Sequence, residues 1–293
     1  MQFARAYVRG AIGLRAFSTA RVYRAELSYQ VYVPESEHPV TRDPILFLHG
    51  LFGSKQNNRS ISKALARDLK CRIFTLDLRN HGQSFHAPEH NYSVMAEDVQ
   101  EFIEQQKLHK CVLIGHSMGA KAAMTVALRS PELVSGLIPV DNAPVNAALK
   151  SDFPKYVQGM QRIEEAKVAK QSDADKILQE YEESLPIRQF LLTNLTRSEE
   201  DNTLKFRVPL SVLGNSLEEL GDFPFSESDG KQYNGPTLFV RGTRSPYVSD
   251  KTIPAIKQFF PNAQIADVDA GHWLISENPE AFRQAVLKFL GSS

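Results

Sequence analysis

The chain has 293 residues with 34 basic and 34 acidic side chains, a formal net charge of zero, 42% hydrophobic content and 23% charged content. This balance argues against a nucleic-acid binder, which carries a strong basic excess, and the two cysteines are too few for a disulfide scaffold or a cysteine zinc cluster. No apolar run approaches the roughly 18 to 20 residues of a membrane-spanning helix, so the chain is expected to fold as one large α/β domain or about two smaller ones, without stable membrane insertion.

The charge is unevenly placed. Arg5, Arg9, Arg15, Arg21 and Arg24 all precede the first acidic residue, Glu26. Phe3 precedes the arginines and Tyr7, Val8, Ile12, Leu14 and Phe17 lie between them, so a helix here would be amphipathic and basic, the composition of a mitochondrial transit peptide. Arginines interrupt every candidate apolar stretch of a secretory signal. Residues 15–18 (RAFS) resemble a matrix-protease cleavage site with arginine three residues before the cut. Residues 1–17 are therefore expected to be a leader to the mitochondrial matrix, the alternative being a basic tail on a cytosolic protein. Removing them takes away Arg5, Arg9 and Arg15 and leaves a net charge of −3.

Further along, short apolar runs alternate with helix-like segments, which predicts a mostly parallel sheet with crossover helices. The expected strands are 27–33, 45–48, 72–76, 111–114, 136–140, 237–241 and 264–268. The expected helices are 58–69, 93–107, 117–129, 251–259 and 279–290. Unbroken apolar character at 45–48 and 111–114 suits strands covered on both faces. Cys71 and Cys111 open two such strands and are expected to be buried, reduced thiols. From about 144 to 234 the alternation stops and charged helical text takes over. That block is expected to be a helical cap inserted into an α/β core made of 18–143 and 235–293.

The strongest local motif is Gly115-His116-Ser117-Met118-Gly119, between the strand CVLI and the helix AKAAMTVALRS. This is G-x-S-x-G in the strand–turn–helix setting of a nucleophile elbow, the catalytic turn of α/β-hydrolases. Side chains at 115 or 119 would clash with the neighbouring helix and strand, and the turn sets Ser117 at a helix N-terminus, where the dipole favours developing negative charge. His49-Gly50-Leu51-Phe52-Gly53-Ser54 follows the strand ILFL, the place from which such folds draw one oxyanion-hole N–H. The expected donors are the backbone N–H groups of Leu51 and Met118. His49 is expected to be structural, and Asp77 in DLRNHGQS to organise a loop.

The general base must follow the serine, because α/β-hydrolases run Ser…Asp/Glu…His. Seven of the eight histidines precede or abut Ser117, and only His272 comes after it. Two carboxylates compete for the third place. The segment after strand TLFVRG has none until Asp250, whereas Asp141 directly follows strand GLIPV. Ser245 is a candidate additional hydrogen-bond donor to the His–Asp pair.

HGLFGS, DLRNHGQS, GHSMGA, DNAPV, RGTRSPYVS and AGHW together resemble the group of α/β-hydrolase domain-containing protein 11, which includes bacterial short-chain esterases and mitochondrial ethanol acetyltransferases. The resemblance runs from about residue 27 to the end and is weakest through the cap. It implies the α/β-hydrolase fold, places the acid at Asp141 and the auxiliary serine at Ser245, and matches Ser117 and His272 to the nucleophile and base. It also implies carboxylesterase activity, with thioesterase and alcohol acetyltransferase activities among members, and a mitochondrial location. The expected reaction is acyl transfer from a small ester or acyl-CoA substrate, with water or an alcohol as acceptor. The sequence has no phosphate loop, metal-ligand spacing or dinucleotide fingerprint, so no cofactor is expected. Two rival readings are another chemistry on the same fold, such as C–C bond hydrolysis, and a non-enzymatic scaffold for a mitochondrial partner.

Overall fold

The computed structural model describes residues 26–34, 42–147 and 152–291. The expected leader at 1–17 lies outside the described residues. Seven strands form one sheet: β1 (Tyr29–Tyr32), β2 (Ile45–Leu48), β3 (Ile73–Leu76), β4 (Cys111–His116), β5 (Val134–Val140), then β8 (Thr237–Gly242) and β9 (Ala263–Val268), in the spatial order β1-β3-β2-β4-β5-β8-β9. All neighbours are parallel except β1, which runs antiparallel to β3. The partly exposed β1 is an edge strand, and an antiparallel edge on a parallel sheet is a common variation. The fold is an α/β-hydrolase fold with a mostly parallel central sheet.

β2, β3 and β4 are buried at every position, and their side chains divide by the two-residue period of a strand. Ile45 and Phe47 face one layer with Ile114, Ile138 and Val240. Leu46 and Leu48 face the other with Phe74, Leu113 and Leu137. The first layer is covered by α1 (Arg59–Leu69), α10 (Leu274–Glu277) and α11 (Pro279–Gly291), through residues such as Leu65, Leu274, Phe282 and Val286. The second is covered by α2 (Tyr92–Gln105), α3 (Met118–Arg129) and α9 (Ile253–Phe259). Cys71 and Cys111 are buried free thiols whose pKa values burial pushes up to about 11 and about 12.

Between β5 and β8 the chain forms α4 (Asp152–Glu165), α5 (Gln171–Leu178), α6 (Leu185–Leu192), α7 (Leu210–Asn215) and α8 (Leu217–Gly221). It also forms a small antiparallel pair, β6 (Leu195–Arg197) with β7 (Leu204–Phe206), inside the stretch expected to be a helical cap. Three-residue strands are too short to carry a readable period. Phe153, Met160, Leu191 and Leu213 of this block join the same apolar cluster as α2 and α3. Strand order reverses between β2 and β4, because β3 lies on one side of β2 and β4 on the other. The crevice outside the carboxyl ends of strands at such a switch point is where α/β folds bind ligands.

Candidate active site

β4 delivers Ser117 to that crevice. Its φ of 54° and ψ of −114° lie in a region that non-glycine residues rarely occupy, so the turn is strained. The chain tolerates it because the two flanking positions lack side chains. A Cβ on Gly115 would stand 2.1 Å from the Gly119 carbonyl oxygen, and one on Gly119 would stand 2.5 Å from that of Leu48. The Ser117 N–H donates to Val140 O at 2.9 Å, and Asn142 Nδ2 donates to Ser117 O at 3.1 Å, which ties the turn to the end of β5.

Asp141 directly follows β5; it too has a positive φ (51°) and is completely buried. A buried carboxylate needs charge-matched donors, and Asp141 has three. Gly242 N–H reaches Oδ1 at 3.2 Å, the Ser245 hydroxyl reaches Oδ2 at 2.5 Å, and His272 Nδ1 reaches Oδ2 at 2.7 Å. His272 Nε2 lies 3.0 Å from Ser117 Oγ. With Nδ1–H donating to Asp141, Nε2 is left to accept the serine hydroxyl proton. The Tyr247 ring stacks on His272 with centroids 4.2 Å apart and planes at 28°. The structure thus brings together Ser117, His272, Asp141 and Ser245. Asp250 is elsewhere: its exposed carboxylate pairs with Arg241 at 2.8 Å.

The loop after β2 lies against the serine, since a Cβ on Gly50 would meet Ser117 Cβ at 3.3 Å. Neither the Leu51 N–H nor the Met118 N–H donates to another described residue. Two buried histidines hold this loop to the one after β3 in reciprocal fashion. His49 Nδ1–H donates to Gly50 O at 2.8 Å while its Nε2 accepts the Leu78 N–H at 3.0 Å. His81 Nδ1–H donates to Arg79 O at 2.9 Å while its Nε2 accepts the Phe52 N–H at 3.1 Å. Burial holds both rings below the ordinary imidazole range, so each stays neutral and keeps one donor and one acceptor. Asp77 accepts from Lys55 N–H, Lys55 Nζ and Gln83 N–H, which gives it the loop-organising place expected of it. His116 donates through Nε2 to His272 O at 2.8 Å; burial, then the adjacent His272 ring, lowers it to about 4.

Sequence reasoning missed His81, Tyr247 and Lys121. Lys121 alone leaves a local signal, a charge inside the otherwise apolar run from Met118 to Leu128, one turn after Ser117. Among the described residues no cluster of three or more metal-ligating side chains occurs, and no helix is long and apolar enough to cross a membrane. The arrangement can move a proton from a hydroxyl to an imidazole while the resulting charge faces a buried carboxylate.

A family model described as alpha/beta hydrolase fold matches residues 43–279. An sn-1-specific diacylglycerol lipase ABHD11 from Xenopus laevis is 41% identical over 274 residues, covering 92% of this chain and 85% of that one. A probable alcohol acetyltransferase from Saccharomyces cerevisiae is 36% identical over 286 residues, covering 90% and 83%. Among solved structures, a marine microorganism esterase superposes with a TM-score of 0.82 at 32% identity, covering 90% of this chain and 99% of that one.

Proposed function

The chain belongs to the α/β-hydrolase fold family, in the group of α/β-hydrolase domain-containing protein 11, and on that premise we propose that it is a serine hydrolase acting through an acyl-enzyme on short-chain esters or thioesters. The observation that carries this reading is the unbroken hydrogen-bonded line from Ser117 Oγ through His272 to Asp141, which starts at a serine held in a strained turn.

In the first step His272 takes the Ser117 proton as the oxygen attacks the carbonyl carbon, and Asp141 stabilises the imidazolium. The oxyanion meets the Leu51 and Met118 N–H groups, each contributing roughly 3 kcal/mol to the transition state, with the α3 N-terminus adding its dipole. His272 then gives its proton to the leaving alcohol or thiol. Water releases the acyl group as an acid, and an alcohol releases it as a new ester. Similarity to both a diacylglycerol lipase and a probable alcohol acetyltransferase supports an acyl-enzyme open to either acceptor. The role of Ser245 is to donate to Asp141 and hold its charge on His272.

Ser117→Ala is expected to lower ethyl acetate hydrolysis by roughly 10⁴-fold or more; activity within tenfold of the native chain would refute the nucleophile assignment. Incubation with acetyl-CoA, with and without ethanol, separates the acceptors, since free acetate alone marks a thioesterase and ethyl acetate a transferase. Residues 1–17 are proposed to direct the chain to the mitochondrial matrix. Fused to a fluorescent protein they should carry it there, and a diffuse cytosolic signal would rule the leader out.

A further inference from the structure

A cavity of about 350 Å³ lies behind the catalytic residues, lined by His116 and Trp273, the chain neighbours of Ser117 and His272, and by Phe190 from the block between β5 and β8. Gly50 forms part of its wall, and a side chain there would meet His116 Nδ1 at 3.1 Å and Ser117 Cβ at 3.3 Å, so this wall residue packs against the serine. Another wall begins at Trp273, the residue after His272, and continues through Ile275 and Ser276. Ile61 of α1 and Phe190 of α6 complete the apolar surface, with the Phe190 and Trp273 rings 4.6 Å apart between centroids. No Asp, Glu, Lys or Arg is among its described lining residues. Its two histidines, His49 and His116, are kept neutral by burial.

We infer that this cavity is the subsite for the alcohol arm of the ester, and that it takes an uncharged alkyl chain. The inference rests on Ser117 as the nucleophile and adds the class of alcohol. Three arguments carry it. The cavity is partly open, with Asn57, Ser60 and Ser276 exposed at its rim, but its lining offers no countercharge, so a neutral chain is favoured over a charged one. The general acid must stand within hydrogen-bond reach of the leaving oxygen; the leaving group therefore emerges beside His272, and the segment that follows His272 is the cavity wall. At about 30 Å³ per water-sized group the cavity holds about a dozen such groups. An octyl chain fits, whereas an ethyl group leaves most of the apolar wall uncovered. Each methylene seated there should raise kcat/KM about fourfold.

The experiment compares kcat/KM for octyl acetate, ethyl acetate and ethyl octanoate on the full chain. Octyl acetate is expected to exceed ethyl acetate at least tenfold. Ser60→Trp and Ser276→Trp, which fill the cavity from two segments, should each lower that ratio at least tenfold, and a ratio is insensitive to loss of folded enzyme. Without any substitution, 1-octanol should inhibit ethyl acetate hydrolysis at tenfold lower concentration than either ethanol or octyltrimethylammonium. Octyl acetate no better than ethyl acetate, a ratio unmoved by both substitutions, or equal inhibition by the charged ammonium would overturn the inference. So would a fall in the ethyl octanoate to ethyl acetate ratio instead, which would put the acyl chain in the cavity. A Ser117→Ala chain that still hydrolyses ethyl acetate would fail the nucleophile reading separately.

Discussion

Replacing Lys121 with methionine should loosen the α4–α8 block from the sheet. Lys121 sits on α3 one turn beyond Ser117 and is 3% exposed. Its ammonium donates to Val145 O at 3.0 Å, where the chain leaves the core, and to Gly221 O at 2.8 Å and Asp222 O at 2.9 Å, where it returns. Around it, Ala147 N–H donates to Gly221 O, Phe223 N–H to Asn146 Oδ1, and Tyr92 Oη–H to Leu220 O, so the chain on both sides of the α4–α8 block is bound side by side above this one charge. Methionine fills similar space and donates nothing. Gly221 O keeps its bond from Ala147 N–H, so two carbonyls, Val145 O and Asp222 O, lose their partner, at about 2 kcal/mol each or about 4 kcal/mol together. Against that, burial draws the lysine pKa from 10.5 to about 8, an ammonium burial cost of about 3 kcal/mol that the substitution relieves. The net loss is about 1 kcal/mol.

The pH dependence has a definite sign. The folded-state pKa is depressed, so between pH 8 and 10.5 the unfolded chain holds the extra proton and folding gains stability as pH rises. The gap between the native chain and Lys121→Met should therefore widen from pH 7 to pH 10. Urea unfolding at both pH values measures it, and limited proteolysis near 143–147 and 221–235 should show faster cleavage in the variant. A loss under about 0.5 kcal/mol at pH 7, or a gap that narrows toward pH 10, would refute the reasoning.

Asp141→Asn should lower kcat by roughly 10⁴-fold while Asp250→Asn, at an exposed ion pair, should change it less than twofold; comparable losses would remove Asp141 from its assigned place. Ser245→Ala deletes one charge-assisted hydrogen bond to Asp141, about 1.5 kcal/mol, and is expected to lower kcat roughly tenfold with KM unchanged. An effect on KM alone would contradict that role. His49, His81, His90 and His116 are buried with depressed pKa values, so the unfolded chain binds protons that the folded chain refuses once pH falls below 6.5. Stability should fall between pH 6.5 and about 4 by up to about 1.4 kcal/mol per pH unit per histidine, and calorimetry showing a flat acid limb would exclude this origin.

What the sequence determined by itself is whatever local pattern encodes. Apolar runs at 45–48 and 111–114 match β2 and β4 because a strand covered on both faces has no polar position to tolerate. The elbow was legible because its glycines, strand and helix are adjacent in the chain, and the contacts that forbid side chains at Gly115 and Gly119 act within that unit and the strand beside it. His272 stood out through the order of residues, being the one histidine beyond the serine. Tertiary structure alone decided the partnerships. His272 meets Asp141 across 131 positions and Ser245 meets it across 104, and such pairings depend on β5 and β8 lying side by side. Spacing along the chain left Asp250 a rival to Asp141; in the fold Asp250 pairs with Arg241, whereas Asp141 lies against His272. The same holds for His49 and His81, each bonded to the other's loop across 29 positions, and for Lys121, which binds carbonyls that carry no side-chain identity and so leave no mark in a sequence.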